Sequence, residues 1–450
     1  MESEIPPPND SYVSSKSTRD DPPILRVMLE ISTTIFSWTL IANEQDCCYD
    51  TPWILSQVCQ QWRDITLSYP ELWTHVRIQR SQTSYFSYPA GRIHQLKTSL
   101  VLSQSSPLRI WYEARSDPNG HLWNVLLDYC RHWGTIKIYA TDYFFDHFRK
   151  PQIHALPLLE RFHIFHSFHS YGISSRIVLD EDIVDALATA PRLHDILLVG
   201  FKSPTSLSLP WLQLTDIDFP CGSPQGDINI LRKAPNLQRL SLRGNTYNLS
   251  LPAPIIHRSL CHLTTPVSAL PYLTLPRLEH LFAITPPGTI PSPTPAIHKF
   301  IIRSQCALRN LHLKNVTIDQ SLIDLMKDAP TAKVFRLEAR RCSLDAFDAF
   351  SESLTYSEGD RPMLLPHLVD LHITAGSVLP VTYAFIMMVQ SRWYVDRTRA
   401  VQLRSLNGVD LDDQMLPDDA KLLTQVDEER FQFYIGVCGG VILVKEDPYE

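Results

Sequence analysis

Glycine is scarce in this chain, 15 among 450 residues, and the glycine-built motifs of catalysis and phosphate binding are missing with it. There is no Gly-x-Gly-x-x-Gly to bring a backbone against a pyrophosphate and no Gly-Lys-Ser/Thr to cradle a nucleotide. The nearest match to a nucleophile elbow, Gly222 to Gly226, carries Pro224 where the nucleophilic serine would stand. Cys-x-x-Cys is also lacking, and the adjacent Cys47 and Cys48 cannot supply zinc-finger ligand spacing. The expectation is a chain without catalytic residues, cofactor or metal.

Positive charge is not in surplus either. Lys and Arg number 41 against 48 Asp and Glu, a net charge of -7, and the basic residues are scattered, so the electrostatic footprint of a nucleic-acid partner is missing. No run approaches the roughly 20 apolar residues that span a bilayer. The polar, Pro/Ser-rich stretch from Met1 to Asp21 lacks the apolar run of a secretory signal, which predicts a cytoplasmic or nuclear protein. The nine cysteines fit that compartment, being odd in number, dispersed and often set among apolar neighbours, as reduced core residues are. Apolar residues make up 44% of the chain, enough to support packed domains over most of its length.

After a disordered tail, residues 1–23, the first organised region is expected over 24–80. Ile24 to Ile41 is an apolar, β-branched and aromatic segment, and Trp53 to Trp62 is a second, with Ile54, Leu55, Val58 and Trp62 on one helix face. Polar Ala42 to Asp50 suits a loop between them, and Thr51-Pro52 a helix start. A third short element, Asp64 to Leu67, leads to Pro70, which ends it, and to Trp73, large enough to plug a small three-helix core. A module of this size cannot bury every apolar group it carries, so some are expected to face a partner.

The run Leu55-Ser56-Gln57-Val58-Cys59-Gln60-Gln61-Trp62-Arg63-Asp64-Ile65, then Leu67 and Tyr69-Pro70-Glu71-Leu72-Trp73, resembles fungal F-box proteins. Val27-Met28-Leu29-Glu30-Ile31 followed by Ile35-Phe36 is similar to that family's opening motif, with Met28 and Leu29 standing where the family has prolines. The resemblance implies a three-helix module that docks on a Skp1-like linker protein and through it on a cullin. The docking residues it implies are Val27, Met28, Leu29, Glu30, Ile31, Ile35, Phe36 and Val58.

Farther along, a template recurs: Pro-x-Leu-x-x-Leu-x-Leu. It is found at Pro157-Leu159-Phe162-Ile164, Pro191-Leu193-Ile196-Leu198, Pro235-Leu237-Leu240-Leu242, Pro276-Leu278-Leu281-Ala283 and Pro366-Leu368-Leu371-Ile373. Looser copies are Pro210-Leu212-Thr215-Ile217 and Pro330-Ala332-Phe335-Leu337, with proline-free ones at Leu260-Leu263-Thr265 and Leu308-Leu311-Leu313. Alternation at the end of the template puts two apolar side chains on one face of a short strand, and the earlier leucine buries the turn entering it. Helical triplets precede three copies: Val184, Leu187 and Ala190; Ile228, Leu231 and Ala234; Ile323, Met326 and Ala329. Such units cannot bury their apolar face singly and must stack, strands beside strands. This pattern resembles leucine-rich repeats, and Leu237 to Asn245 matches that family's Leu-x-x-Leu-x-Leu-x-x-Asn.

The fold class expected is therefore α/β: a small N-terminal three-helix F-box-like module followed by an irregular leucine-rich repeat solenoid. Transition and atypical repeats are placed at 81–150, with Ser99 to Tyr112 and Thr135 to Tyr139 as strands around a helix from His121 to Trp133. The array spans 151–408, includes an extended Pro-rich loop at 286–295, and ends with a helix at Tyr383 to Trp393 and a strand at Ala400 to Leu406. An acidic segment and a capping strand, Tyr434 to Val444, fill 409–450. The triplet His163, His166 and His169, with His154 nearby, is the best metal candidate; on a strand, spacing of three sends successive imidazoles to opposite faces, and no acidic neighbour in sequence completes a site. Asp180 to Asp182 and Asp410 to Asp413 read as caps and solvated faces.

Taken with the resemblance, these features imply a non-enzymatic adaptor that recruits an unknown target protein to a Skp1-cullin-F-box ubiquitin ligase through its repeats. The alternative is a leucine-rich repeat scaffold whose F-box-like segment is only a structural cap. A polysaccharide-cleaving β-solenoid would need carboxylates clustered on a strand face, where the template has leucine and isoleucine.

Overall fold

The computed structural model describes residues 29–41, 51–79, 90–117, 119–141, 144, 155–166, 187–199, 209–219, 224–242, 253–286, 292–340, 342–356, 364–375, 382–393, 403, 405–411, 432–437 and 440–444. It divides into two compact units, the first comprising Met1–Arg77 and Phe86–Ile110, the second Ile78–Tyr85 and Trp111–Glu450. Val27, Met28, the 1–23 tail, His154, His169, Val184, Asp180 to Asp182, Asn245 and residues 287–291 of the Pro-rich loop lie outside the described residues.

Among the described residues the first unit holds helices α1 (Leu29–Ile41), α2 (Thr51–Val58), α3 (Gln60–Ser68) and α4 (Ala90–Leu102). Helix α1 tolerates its many hydroxyl residues because Thr33, Thr34, Ser37 and Thr39 donate back to carbonyls three or four residues earlier. The single helix face expected from Ile54 to Trp62 is corrected to two helices broken at Cys59. That residue is extended (φ -159, ψ 172), and its Sγ accepts from the Trp62 amide at 3.4 Å, capping α3. Arg63 closes the other side of the break by donating Nε–H to the Ser56 carbonyl at 2.8 Å. The element expected at Asp64 to Leu67 is thus the end of α3.

Pro70–Trp73 forms a 3-10 turn that drives Trp73 into the core beside Phe36, Leu55, Ile65 and Leu72. The Trp73 indole N–H donates to the Thr66 carbonyl at 2.8 Å, and Trp53 and Trp62 pack edge-on against Trp73 and Phe36. Helix α4 replaces the first part of the strand expected from Ser99: Leu96 and Leu100, four residues apart, bury one helix face, and the helix ends in a turn at Ser103 and Gln104. Strand β1 (His75–Ile78) follows the 3-10 turn, and β2 begins only at Leu108 (Leu108–Glu113).

In the second unit the strands are β3 (Trp133–Ala140), β4 (Arg161–His166), β5 (Asp195–Val199), β6 (Asp216–Phe219), β7 (Arg239–Leu242), β8 (Ile255–Ile256), β9 (His262–Pro266), β10 (Leu273–Thr274), β11 (His280–Ile284), β12 (Asn310–Val316), β13 (Val334–Ala339), β14 (Asp370–Ala375), β15 (Ser405–Leu411), β16 (Gln432–Val437) and β17 (Gly440–Val444). Apart from the short β8–β10 pair, they join one sheet in chain order, and 12 of them run parallel. Strands β16 and β17 pair antiparallel, so the single capping strand expected from Tyr434 is corrected to two antiparallel strands. Strand β15 lies later than the Ala400 to Leu406 expected for it, and Asp410 falls within it.

The register is uniform: Ile136, Phe162, Ile196, Ile217, Leu240, Leu263, Leu281, Leu311, Phe335, Leu371, Leu406 and Phe433 stand side by side. One backbone device repeats between them. The carbonyl of Glu160 accepts from two successive amides, His194 and Asp195; His194, Thr215, Gln238, Cys261, Glu279, Arg309 and Lys333 do the same for the next strand in turn. A constant strand-to-strand step is thereby kept although the connections differ in length.

The template's leucines are buried as expected in eight of nine copies. The exception is the copy at Pro210, where Leu212 is 71% exposed and Leu214 is fully buried. The side chain of Gln213 donates to the Ala190 and Leu193 carbonyls at 2.7 and 2.8 Å, occupying the turn and shifting the register to Leu214 and Ile217.

Between strands lie helices α5 (His121–Leu127), α6 (Pro224–Lys233), α7 (Thr294–Ser304), α8 (Gln320–Lys327), α9 (Leu344–Leu354) and α10 (Tyr383–Trp393). The helix expected from His121 ends six residues early, in a 3-10 turn at Cys130–His132. Gly120, at φ 66, supplies the left-handed residue before α5, and the buried Asp117 carboxylate accepts from the amides of His121, Leu122 and Trp123. Helices cover the leucine face, as Phe350 of α9 against Phe335 of β13 illustrates. The opposite face is half-exposed or exposed along strands such as β3, β4 and β13, and we refer to it as the outward face.

Candidate protein-interaction surfaces

Two surfaces stand out, one in each unit. On α1, Ile31, Ile35 and Trp38 succeed one another at helical spacing and are 46%, 40% and 64% exposed. Leu29 on the same helix and Ile54 and Val58 on α2, four residues apart, are exposed as well. Glu30 is exposed near the start of α1, where its charge suits the helix dipole. Phe36, in contrast, is 2% exposed and belongs to the core. The unit therefore has a complete interior and still presents an apolar stripe to solvent, a combination that marks interaction surfaces. Sequence reasoning had singled out Leu29, Ile31, Ile35 and Val58 but missed Trp38 and Ile54, although Trp38 continues the Ile31–Ile35 spacing.

The second surface is the outward face. At its start Trp111, Tyr139 and Phe165 form a ladder, with ring centroids 5.0 and 4.8 Å apart, and Lys137 Nζ lies 5.8 Å from the Trp111 ring. Next come paired charges. Asp195 Oδ1 is 3.0 Å from His163 Nε2, and Arg161 lies on its other oxygen at 3.8 Å. Burial alone would raise the Asp195 carboxyl, but the His163 hydrogen bond and the charges of His163, Arg161 and His194 bring it below the ordinary carboxylate value. The acidic partner of His163 is thus delivered by the next strand. Asp216 is bridged by Arg239 in the same manner.

Farther on, aromatic and imidazole rings stack across neighbouring strands: His262 on His280 at 3.9 Å and Phe282 on His312 at 4.0 Å. Burial, followed by the charges of His280 and Arg239, lowers His262 below the usual imidazole value. Glu338 accepts from Lys314 at 2.7 Å and lies 2.9 Å from His312. Burial opposes its ionisation, yet these two partners hold it below the ordinary range. Aligning the middle position of each Leu-x-Leu would have put His163, Phe282, His312, Arg336 and His372 in one column; reading the copies for their leucines alone hides it.

His163 and His166 point to opposite faces, since His163 is half-exposed on β4 and His166 is buried. Among the described residues no group of three His, Cys, Asp or Glu side chains is arranged to hold a metal ion. Burial pushes the Cys306 and Cys342 thiols up to about 11, away from thiolate chemistry at neutral pH. Among the described residues no helix is long and apolar enough to cross a membrane. No protein-family model matches the chain, and no curated protein matches it.

Proposed function

We propose that the chain is a substrate-recruiting adaptor of a Skp1-cullin-F-box type ubiquitin ligase, its first unit an F-box-like module and its second an irregular leucine-rich repeat array. The observation that carries the reading is the stripe Ile31, Ile35 and Trp38, left exposed over a core already completed by Phe36, Leu55, Ile65, Leu72 and Trp73. A helical unit that needed those residues only for its own stability would bury them. In this reading they dock on a Skp1-like linker, while the outward face of the sheet holds the target protein. Catalysis belongs to the partners: the adaptor raises the target's local concentration at the ubiquitin-charged enzyme.

The rival reading is a repeat scaffold with the helical segment as a mere cap, in which Ile31, Ile35 and Val58 engage no linker protein. Co-expression of the full chain with a Skp1-like linker tests the choice. A stable one-to-one complex supports the adaptor; a chain that purifies alone supports the scaffold.

A further inference from the structure

Outward positions on four successive parallel strands stand in register: Phe282 on β11, His312 on β12, Arg336 on β13 and His372 on β14. Neighbouring strands lie about 4.8 Å apart, so three cation-capable side chains sit consecutively in one row. His312 is held in place, its ring stacked on Phe282 at 3.0° interplanar angle and its Nε2 2.9 Å from Glu338. Arg336 at the centre is exposed, and among the described residues no carboxylate pairs with it.

The acidic groups nearby are already used. Glu338 is shared between His312 and Lys314, and Asp370, two residues before His372 on the same strand, is itself engaged. Burial, then the Arg336 charge, holds His372 below the ordinary imidazole value; burial, and after it Arg336 and His372, outweigh Glu338 in doing the same to His312. The row therefore sets a guanidinium between two imidazoles, while the nearest carboxylate, Glu338, is turned to His312 and Lys314. A guanidinium offers two parallel N–H donors to one oxyanion, and a protonated imidazole on either side adds to the attraction. Half-buried Phe282, Ile284 and Val334 adjoin the row on β11 and β13 and offer apolar footing for residues beside the anion. Glu338 and Asp370 so close by disfavour a polyanion such as a nucleic-acid backbone and suit a single charged side chain.

We propose that Arg336, flanked in register by His312 and His372, recognises one oxyanion, a carboxylate or a phosphate, on a peptide segment of the target protein. The proposal rests on the outward face being the target-contact surface. Since linker docking is assigned to the first unit, the two readings fail separately: loss of peptide binding with linker capture intact removes only this one.

The test selects a displayed random peptide library on the full-length chain at pH 6.5, with a second selection on the Arg336→Gln variant. The expected result is Asp or Glu enrichment on the wild type only. Synthetic copies of selected peptides should bind about tenfold more weakly to Arg336→Gln, remain unchanged with Arg232→Gln on helix α6, and bind more tightly at pH 5.5 than at pH 7.5. Replacing the key acid by phosphoserine identifies the source: tighter binding assigns a phosphate, weaker binding a carboxylate. Thermal unfolding of Arg336→Gln at the wild-type midpoint excludes a folding defect. Selection of no peptides, equal enrichment on both chains, or equal affinity for acid and amide versions of a peptide overturns the proposal.

Discussion

Arg392 is buried in helix α10 with no carboxylate partner among the described residues, and it donates Nε–H to the carbonyl oxygen of Leu354, the last residue of α9, at 2.7 Å. Its two terminal nitrogens donate to Leu364 and Leu365, the latter at 2.9 Å, so one guanidinium ties a helix end to the turn before β14. Burial pushes it down to about 10. Arg392→Met leaves the buried Leu354 and Leu364 carbonyls without this donor, while Leu365 keeps the Leu368 amide, and is expected to destabilise the second unit by roughly 2–5 kcal/mol. Arg392→Lys should restore only part of this, because an ammonium lacks the planar fork. Chemical denaturation of both variants checks the order.

Leu214 and Leu212 give a test of register. Leu214→Ala is expected to cost about 2–5 kcal/mol through the cavity it leaves, and Leu212→Ala less than about 0.5 kcal/mol. The same denaturation midpoints decide it; the reverse order would mean that the Pro210 copy follows the template after all.

In the first unit, Trp73→Ala should cost about 3–5 kcal/mol. Trp73→Phe keeps much of the apolar volume but strands the Thr66 carbonyl, for about 1–3 kcal/mol. Loss of near-ultraviolet circular dichroism on heating reads both.

Much of the second unit was legible because its signal is local and repeated: a leucine, then two more apolar residues at strand alternation, is buried in eight of nine copies. What was not legible depended on side-chain hydrogen bonds to the backbone that periodicity does not encode. Gln213 shifts the Pro210 register by reaching the carbonyls of Ala190 and Leu193, and the break at Cys59 is held by Arg63 on Ser56. Ile54, Leu55, Val58 and Trp62 keep helical spacing across that break, so periodicity alone runs through it. Of the candidate surfaces, the stripe on α1 was half-visible in the spacing of Ile31 and Ile35. The outward row of Phe282, His312, Arg336 and His372 was not, since four strands must be set side by side before those residues become neighbours.

The outward histidines also make stability depend on pH. Burial lowers His262, His312 and His372, so on acidification the folded chain takes up protons later than the unfolded chain, whose imidazoles titrate near 6.5. Their influence is absent well above pH 6.5, and stability declines as pH falls through that value toward the lower folded values. Asp195 and Glu338 are lowered acids, whose stabilising contribution persists to more acid pH and is lost only below the carboxylate range. The melting temperature is therefore expected to drop between pH 7.5 and 5.5, and to drop less in a His262→Gln, His312→Gln, His372→Gln variant. A drop equal to the wild type's would assign the effect to other groups.

The proposed adaptor role requires the exposed stripe of the first unit to dock on a linker protein. Calorimetric titration of the full-length chain with a Skp1-like linker measures it directly, comparing wild type with an Ile31→Asp, Ile35→Asp variant. Both residues are exposed, so the variant should unfold at the wild-type temperature within about 2 °C while its affinity for the linker falls at least about a hundredfold. Equal linker binding by the two chains, or none by the wild type, would contradict the account.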